Sequence, residues 1–116
     1  MRNFKQLKIW QKGFEIAIDI YKIIESFPAS EKYSLSQQVT RAAVSILSNI
    51  AEGSSRRSAK GYGRFIEISL GSSFELETQL LLAKTLHFGN QIKIDETLIK
   101  IDEEQKMLMA FANKLQ

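Results

Sequence analysis

At 116 residues, 44% hydrophobic and 25% charged, the chain has the composition of a single globular domain, residues 1–116, long enough to bury a core without cross-links. It has no cysteine, hence no disulfide, thiolate nucleophile or cysteine-based zinc site. No run approaches the ~20 apolar residues that cross a bilayer, and the basic start MRNFKQLKIW leads into an amphipathic pattern without a signal-peptide core, so a cytoplasmic protein with no membrane contact is expected. The net charge of +3 is unevenly spread, with +6 over residues 1–64 and −3 over residues 65–116, a layout that suits a polyanion at one place on the surface or head-to-tail contacts between subunits.

Four amphipathic helices are predicted. In the first, Leu7, Trp10, Phe14, Ala17, Tyr21 and Ile24 alternate spacings of three and four, a seam that faces another helix, and Pro28 ends it. A second apolar seam runs beside it through Ile9, Ile16, Ile20, Ile23 and Phe27, interrupted only at Gly13. This second seam either widens the core contact or forms an oligomer interface, because an apolar strip of that size rarely stays exposed on a soluble monomer.

The second helix opens at Ser34 with Gln37 three residues on, the pattern of a capping box. It buries Leu35, Val39, Ala42, Ile46 and Ile50, and Gly53 is expected to end it in the left-handed conformation. The third begins near Ser58 or Ala59 and runs to Phe88, roughly 40 Å at 1.5 Å per residue. Its stripe is Phe65, Ile68, Ser72, Leu76, Gln79 and Ala83, and Gly89 with Asn90 supplies the stop. Ala42, Ala43, Ser45, Gly71, Ser72 and Ser73 are small enough to let the second and third helices approach closely.

The fourth helix has Asp95 as its cap, Ile94 and Ile99 as a hydrophobic staple, and an inward rhythm of Ile94, Leu98, Ile101, Leu108, Ala112 and Leu115. Short connections between long helices make neighbours antiparallel. The fold class is therefore all-α, an antiparallel up-down-up-down four-helix bundle.

Catalytic constellations are missing. His87 is the only histidine, which removes a Ser-His-Asp set, a His pair and the Glu-x-x-His motifs that build di-metal sites in bundles. Glu75 and Glu77 lie two apart, so at most one faces inward, as a paired structural carboxylate. Gly61 and Gly63 lack the Lys-Ser/Thr tail and preceding strand of a phosphate loop. Neither an enzyme nor a cofactor or metal site is expected.

What remains is NIAEGSSRRSAKGYGR, residues 49–64. Arg56, Arg57, Lys60 and Arg64 follow one another there without an intervening acid, and two of them stand at a helix start, where the dipole disfavours cations. In the bundle, Lys5, Lys8 and Lys12 and the end of the fourth helix come to the same pole. Such cations beside a Gly-Ser loop suit phosphate contacts, with Tyr62 stacking on an unpaired base. The readings left open are weakly specific RNA or DNA binding, contact with an acidic protein partner, and a solvated loop.

The runs FKQLKIWQKGFEIAIDIYK, QVTRAAVSILSNIAEGSSRRS and RFIEISLGSSFELETQLLLAK resemble the small bacterial four-helix bundle proteins first noticed as reading frames inside 23S rRNA intervening sequences. The resemblance covers almost the whole chain, and SNIAEG and LGSSFELETQL are its specific motifs. The family is also similar to the accessory variability protein of diversity-generating retroelements, a basic bundle that partners a reverse transcriptase and binds nucleic acid. The resemblance implies a homopentamer, which gives the second seam of the first helix a use and aligns five basic poles in a ring. It marks Asn49, Glu52 and Gly53 as a structural motif that fastens the helix end, with Glu52 expected to pair with a nearby arginine or with the loop amides.

Overall fold

The computed structural model describes residues 3–116. After a 3-10 turn at Phe4–Gln6 come α1 (Lys8–Ile24), a second 3-10 turn at Ala29–Glu31, α2 (Leu35–Ser54), α3 (Ala59–Thr85) and α4 (Gln91–Lys114), and no strand occurs among the described residues. Contacts between helices fix their directions. Gly13 of α1 lies against Ile46 and Leu47 of α2, while Tyr21 shares a groove with Thr40 and Val44. The Ser69 hydroxyl of α3 donates to the Ile46 carbonyl at 2.7 Å, and Gly53 of α2 meets Tyr62 and Phe65. Lys84 of α3 pairs with Asp95 of α4 at 2.7 Å, and Gln105 of α4 donates to Glu77 at 2.9 Å. Lys12 of α1 reaches Glu103 at 3.0 Å, and Asp19 reaches Lys93 at 3.1 Å. In every pair a later residue on one helix meets an earlier one on the other. The four helices are therefore antiparallel to their neighbours, α1 closes the bundle against α4, and the long axis measures 44 Å.

The core is aliphatic and its α1 face corrects the sequence reading. Ile9, Ile16, Ile20, Ile23 and Phe27, expected as a possible oligomer interface, are the interior seam and only 0–8% exposed. The seam expected to face inward is split: Ala17 is buried and Leu7, Trp10 and Ile24 pack half-buried against the core, whereas Phe14 is 47% and Tyr21 50% exposed, joined by Ile18 at 44%. Periodicity shows two stripes on a helix but not which points in. Gly13 decides it, because a Cβ there would lie 3.4 Å from both Ile46 Cγ2 and Leu47 Cβ. The gap in the isoleucine seam is the point where α1 closes on its neighbours.

On α2 the expected inward residues are all buried. On α3 the stripe is rotated. Leu76 and Ala83 are buried as expected, but Ile68 is exposed and the inward face is Tyr62, Ile66, Ser69, Ser73, Leu76, Leu80 and Ala83. Two serines take core positions because their hydroxyls are satisfied by main-chain carbonyls, Ser69 by Ile46 and Ser73 by Leu70 at 2.6 Å. The Ser45 and Ser72 hydroxyls also bond across the α2–α3 seam at 2.8 Å. Gly71 takes no part in this close packing: it is exposed, and nothing lies within 4 Å of where its Cβ would stand.

Several helix ends differ from expectation. Ser34 precedes α2 without a side-chain cap bond, so there is no capping box. Gly53 stays helical; His87 and Gly89 are the residues with positive φ among those described. Ser58 caps α3 by accepting from the Gly61 amide at 3.0 Å. The helix stops at Thr85 because His87, at φ 59°, turns the chain so that the Phe88 amide reaches the Ala83 carbonyl at 2.8 Å and the His87 amide reaches that of Lys84. This is a Schellman closure on a non-glycine residue. Asn90 caps α4 by accepting from the Lys93 amide at 3.1 Å, one turn before Asp95, and Ile99 is exposed rather than stapled.

Candidate nucleic-acid interface

Antiparallel topology brings the start of α1, the end of α2, the start of α3 and the end of α4 to one pole. The corner between α2 and α3 is built tightly. A Cβ on Gly53 would stand 2.8 Å from Phe65 Cβ and 3.0 Å from Tyr62 Cδ1, so a side chain at this position would drive the two helices apart. Asn49 donates to the Ser45 carbonyl at 2.8 Å and to its hydroxyl at 2.9 Å, which ties the last turns of α2 to the Ser45–Ser72 pair. The Ser54 and Ser55 hydroxyls donate to the Ala51 and Glu52 carbonyls in the last turn of α2, where the Glu52 carbonyl also accepts from the Ser55 amide.

Around this corner the cations differ in what they touch. Arg56 lies with its guanidinium 4.5 Å from the Phe65 ring centroid and 3.6 Å from the Glu52 carboxylate. The ion pair is exposed on both sides and contributes little, under about 1 kcal/mol, whereas the ring contact orients the arginine along the face of α3. Arg57, Lys60 and Arg64 are exposed. Lys60 and Arg64 border a cleft of about 400 Å³ together with Gly63 and Glu67 of α3 and with Ala112 and Leu115 of α4. Lys5 and Lys8 are exposed as well.

Two expected contact residues are used elsewhere. Lys12 is turned toward α4, where it pairs with Glu103 at 3.0 Å and its side chain is 22% exposed. Tyr62 is 2% exposed and packs edge-on against Phe111, with ring centroids 5.4 Å apart. It stands one turn into α3 on the face continued by Ile66, Ser69 and Ser73, a spacing that gives its inward position, so it cannot stack on a base.

Sequence reasoning missed three features. The first is an ion network joining α1 to α4, in which Asp19, 5% exposed, receives Lys93 at 3.1 Å and Lys100 at 2.7 Å, while Lys100 also reaches Glu15 at 2.7 Å. Burial pushes the Asp19 pKa up, but the hydrogen bonds from Lys100 and Lys93 outweigh it and hold the carboxyl below its ordinary value; the same bonds raise Lys100. The spacing of Lys93 and Lys100, seven apart on one helix face, was its signal in the sequence.

The second is a groove of about 760 Å³ between α1 and α2, lined by Tyr21, Ile24, Phe27, Thr40, Arg41 and Val44 among others. The third is Glu104, fully buried, with burial pushing its pKa up to about 8. Among the described residues no three His, Asp or Glu side chains gather as a metal site, and no helix is long and apolar enough to cross a membrane.

Comparisons with known proteins agree with this architecture. A solved structure of a protein with unknown function from the S23 ribosomal protein family of Bacteroides thetaiotaomicron is similar, with a TM-score of 0.80 and 22% identity over 90% of this chain and 97% of that one. At that identity the likeness speaks for the fold alone. No curated protein matches the sequence. The model of the family described as 23S rRNA-intervening sequence protein matches residues 5–110, from the turn before α1 into the last turns of α4. The chain therefore belongs to the 23S rRNA-intervening sequence protein family.

Proposed function

We propose that this protein is a non-catalytic, cytoplasmic bundle that self-associates, as a homopentamer on the family resemblance, and holds the backbone of RNA or DNA against its basic pole. The observation that carries the reading is the run of exposed cations at the α2–α3 corner, Arg57, Lys60 and Arg64, beside Arg56 and with Lys5 and Lys8 at the same end of the bundle. A phosphate chain gains from cations held on rigid helix ends, and such contacts position nucleic acid without reading its sequence. Copies assembled with their poles together would multiply a weak site by proximity.

Self-association is supported by two unlike apolar faces, which a ring requires. One is the α1–α2 groove with Phe14, Tyr21 and Val44 exposed and Arg41 on its border; the other is the outer side of α3, where Ile68 and Leu82 are exposed with the charged Glu75 midway between them in sequence.

The test is a gel shift with structured RNA across a salt series. Binding is expected to weaken steeply with salt, with a log-log slope near −0.9 per duplex phosphate neutralised, and to be lost when Arg57, Lys60 and Arg64 are all changed to Glu. Undiminished binding by that variant overturns the assignment. So does no binding by the wild type at low salt together with capture of an acidic protein through the same arginines, which makes the bundle an adaptor.

A further inference from the structure

Glu104 projects from α4 into the middle of the bundle. It is 0% exposed, and neither carboxyl oxygen has a hydrogen-bond partner. The space it fills is made by Gly13 of α1: a Cβ there would stand 3.1 Å from Glu104 Oε2. The contact with α1 thus depends on a polar group seated in an apolar layer, with Ile46 and Leu47 of α2 beside the same glycine.

Charged neighbours do little to relieve it. From α1, Lys12 is the cation whose field reaches Glu104, and its ammonium is already held by Glu103 at 3.0 Å. On α4 itself Lys100 is taken by Glu15 and Asp19. On α3, Glu77 accepts from Gln105, the residue next to Glu104, and from α2 Ile46 and Leu47 lie beside Gly13. Ionising a carboxyl in such a place without partners is costly, so the group keeps its proton while the seam stays shut.

We propose that Glu104 is a proton-operated latch on the α1–α4 seam: protonated, it lets α1 close at Gly13, and release of the proton to solvent opens the first half of α1 away from α4. The latch is independent of any nucleic-acid role. Its direction follows from linkage. Opened to water, the carboxyl titrates near its ordinary 4.5; closed, burial holds it at about 8. Between those values the closed seam binds the extra proton, so closure is strongest below 4.5 and is progressively lost as pH rises toward 8. Asp19, on the same seam, is held below its ordinary 3.8 and stays ionised across this window.

Amide hydrogen exchange of the full chain, corrected for the intrinsic pH dependence of exchange, is the test. In the wild type, protection of amides in residues 9–14 is expected to fall about tenfold per pH unit between pH 5 and 8 and then level off. The Ser69 and Ser73 amides of α3 are expected to keep theirs. Glu104→Gln, which cannot ionise, should abolish the slope. A flat wild-type profile, the same slope in Glu104→Gln, or parallel loss in all four helices overturns the latch. Should Glu104→Gln not fold, fluorescence of Trp10, the only tryptophan and three residues before Gly13, decides with wild type and Lys12→Met: the expected result is a pH-dependent change that continues to higher pH once the Lys12 charge is gone, because that charge holds the closed-state pKa of Glu104 down, and an unmoved signal in both proteins overturns the proposal.

Discussion

Gly53 and Gly71 are both helical glycines with negative φ, yet their surroundings predict opposite effects of the same substitution. At Gly53 an added methyl meets Phe65 Cβ at 2.8 Å, an atom fixed to the backbone of α3, so the corner has to shift. Gly53→Ala should destabilise the protein by about 1–3 kcal/mol, the usual cost of overpacking. Gly71 faces open space, and Gly71→Ala should stabilise the folded chain by about 0.5–1 kcal/mol through helix propensity alone. Urea unfolding of the two variants side by side reads both signs. Asp19 makes a third prediction. Its pKa is depressed on folding, so its contribution is present above the unfolded value of 3.8 and disappears as pH falls through the lower folded value. Asp19→Asn removes the charge that two lysines share and should cost about 3 kcal/mol at pH 7. The gap from wild type should close in acid, measured by denaturant titration from pH 7 down to pH 2.

For the helices, sequence gave their number and approximate limits, because apolar spacing and breakers are local. α3 begins at Ala59, within the expected start, and Pro28 lies beyond the end of α1. The rotation of each helix was harder to read. On α3, Ser69 and Ser73 occupy interior positions that a count of apolar residues assigns to the surface, and this turned the expected stripe away from the core. On α1 the two apolar stripes were both present in the sequence, and only the neighbours meeting at Gly13 show which is interior. The consequence is a relocated self-association surface. If Phe14, Tyr21 and Val44 meet another copy, Tyr21→Glu combined with Val44→Glu should lower the mass seen by light scattering after size exclusion while leaving helical content unchanged, since these side chains are outside the core. An unchanged mass, or a wild type that is already monomeric at micromolar concentration, removes the α1–α2 face as an interface.

At the scale of the whole molecule, the uneven charge along the chain becomes a charge layout in space. Antiparallel helices return Arg57, Lys60 and Arg64 to the pole where α1 begins, whereas the ion network of Asp19, Lys93, Lys100 and Glu15 neutralises the middle of the α1–α4 seam. The sequence by itself determined the all-α bundle, the basic α2–α3 corner and the family, since each rests on local spacing or on contiguous motifs. Only the tertiary structure decided that Tyr62 is buried, that Lys12 is committed to Glu103 across the α1–α4 seam, and that Ile9, Ile16, Ile20, Ile23 and Phe27 belong to the core. It also placed Glu104 opposite Gly13. Burial and pairing depend on which faces of distant segments meet, and helical periodicity along one segment does not contain that information.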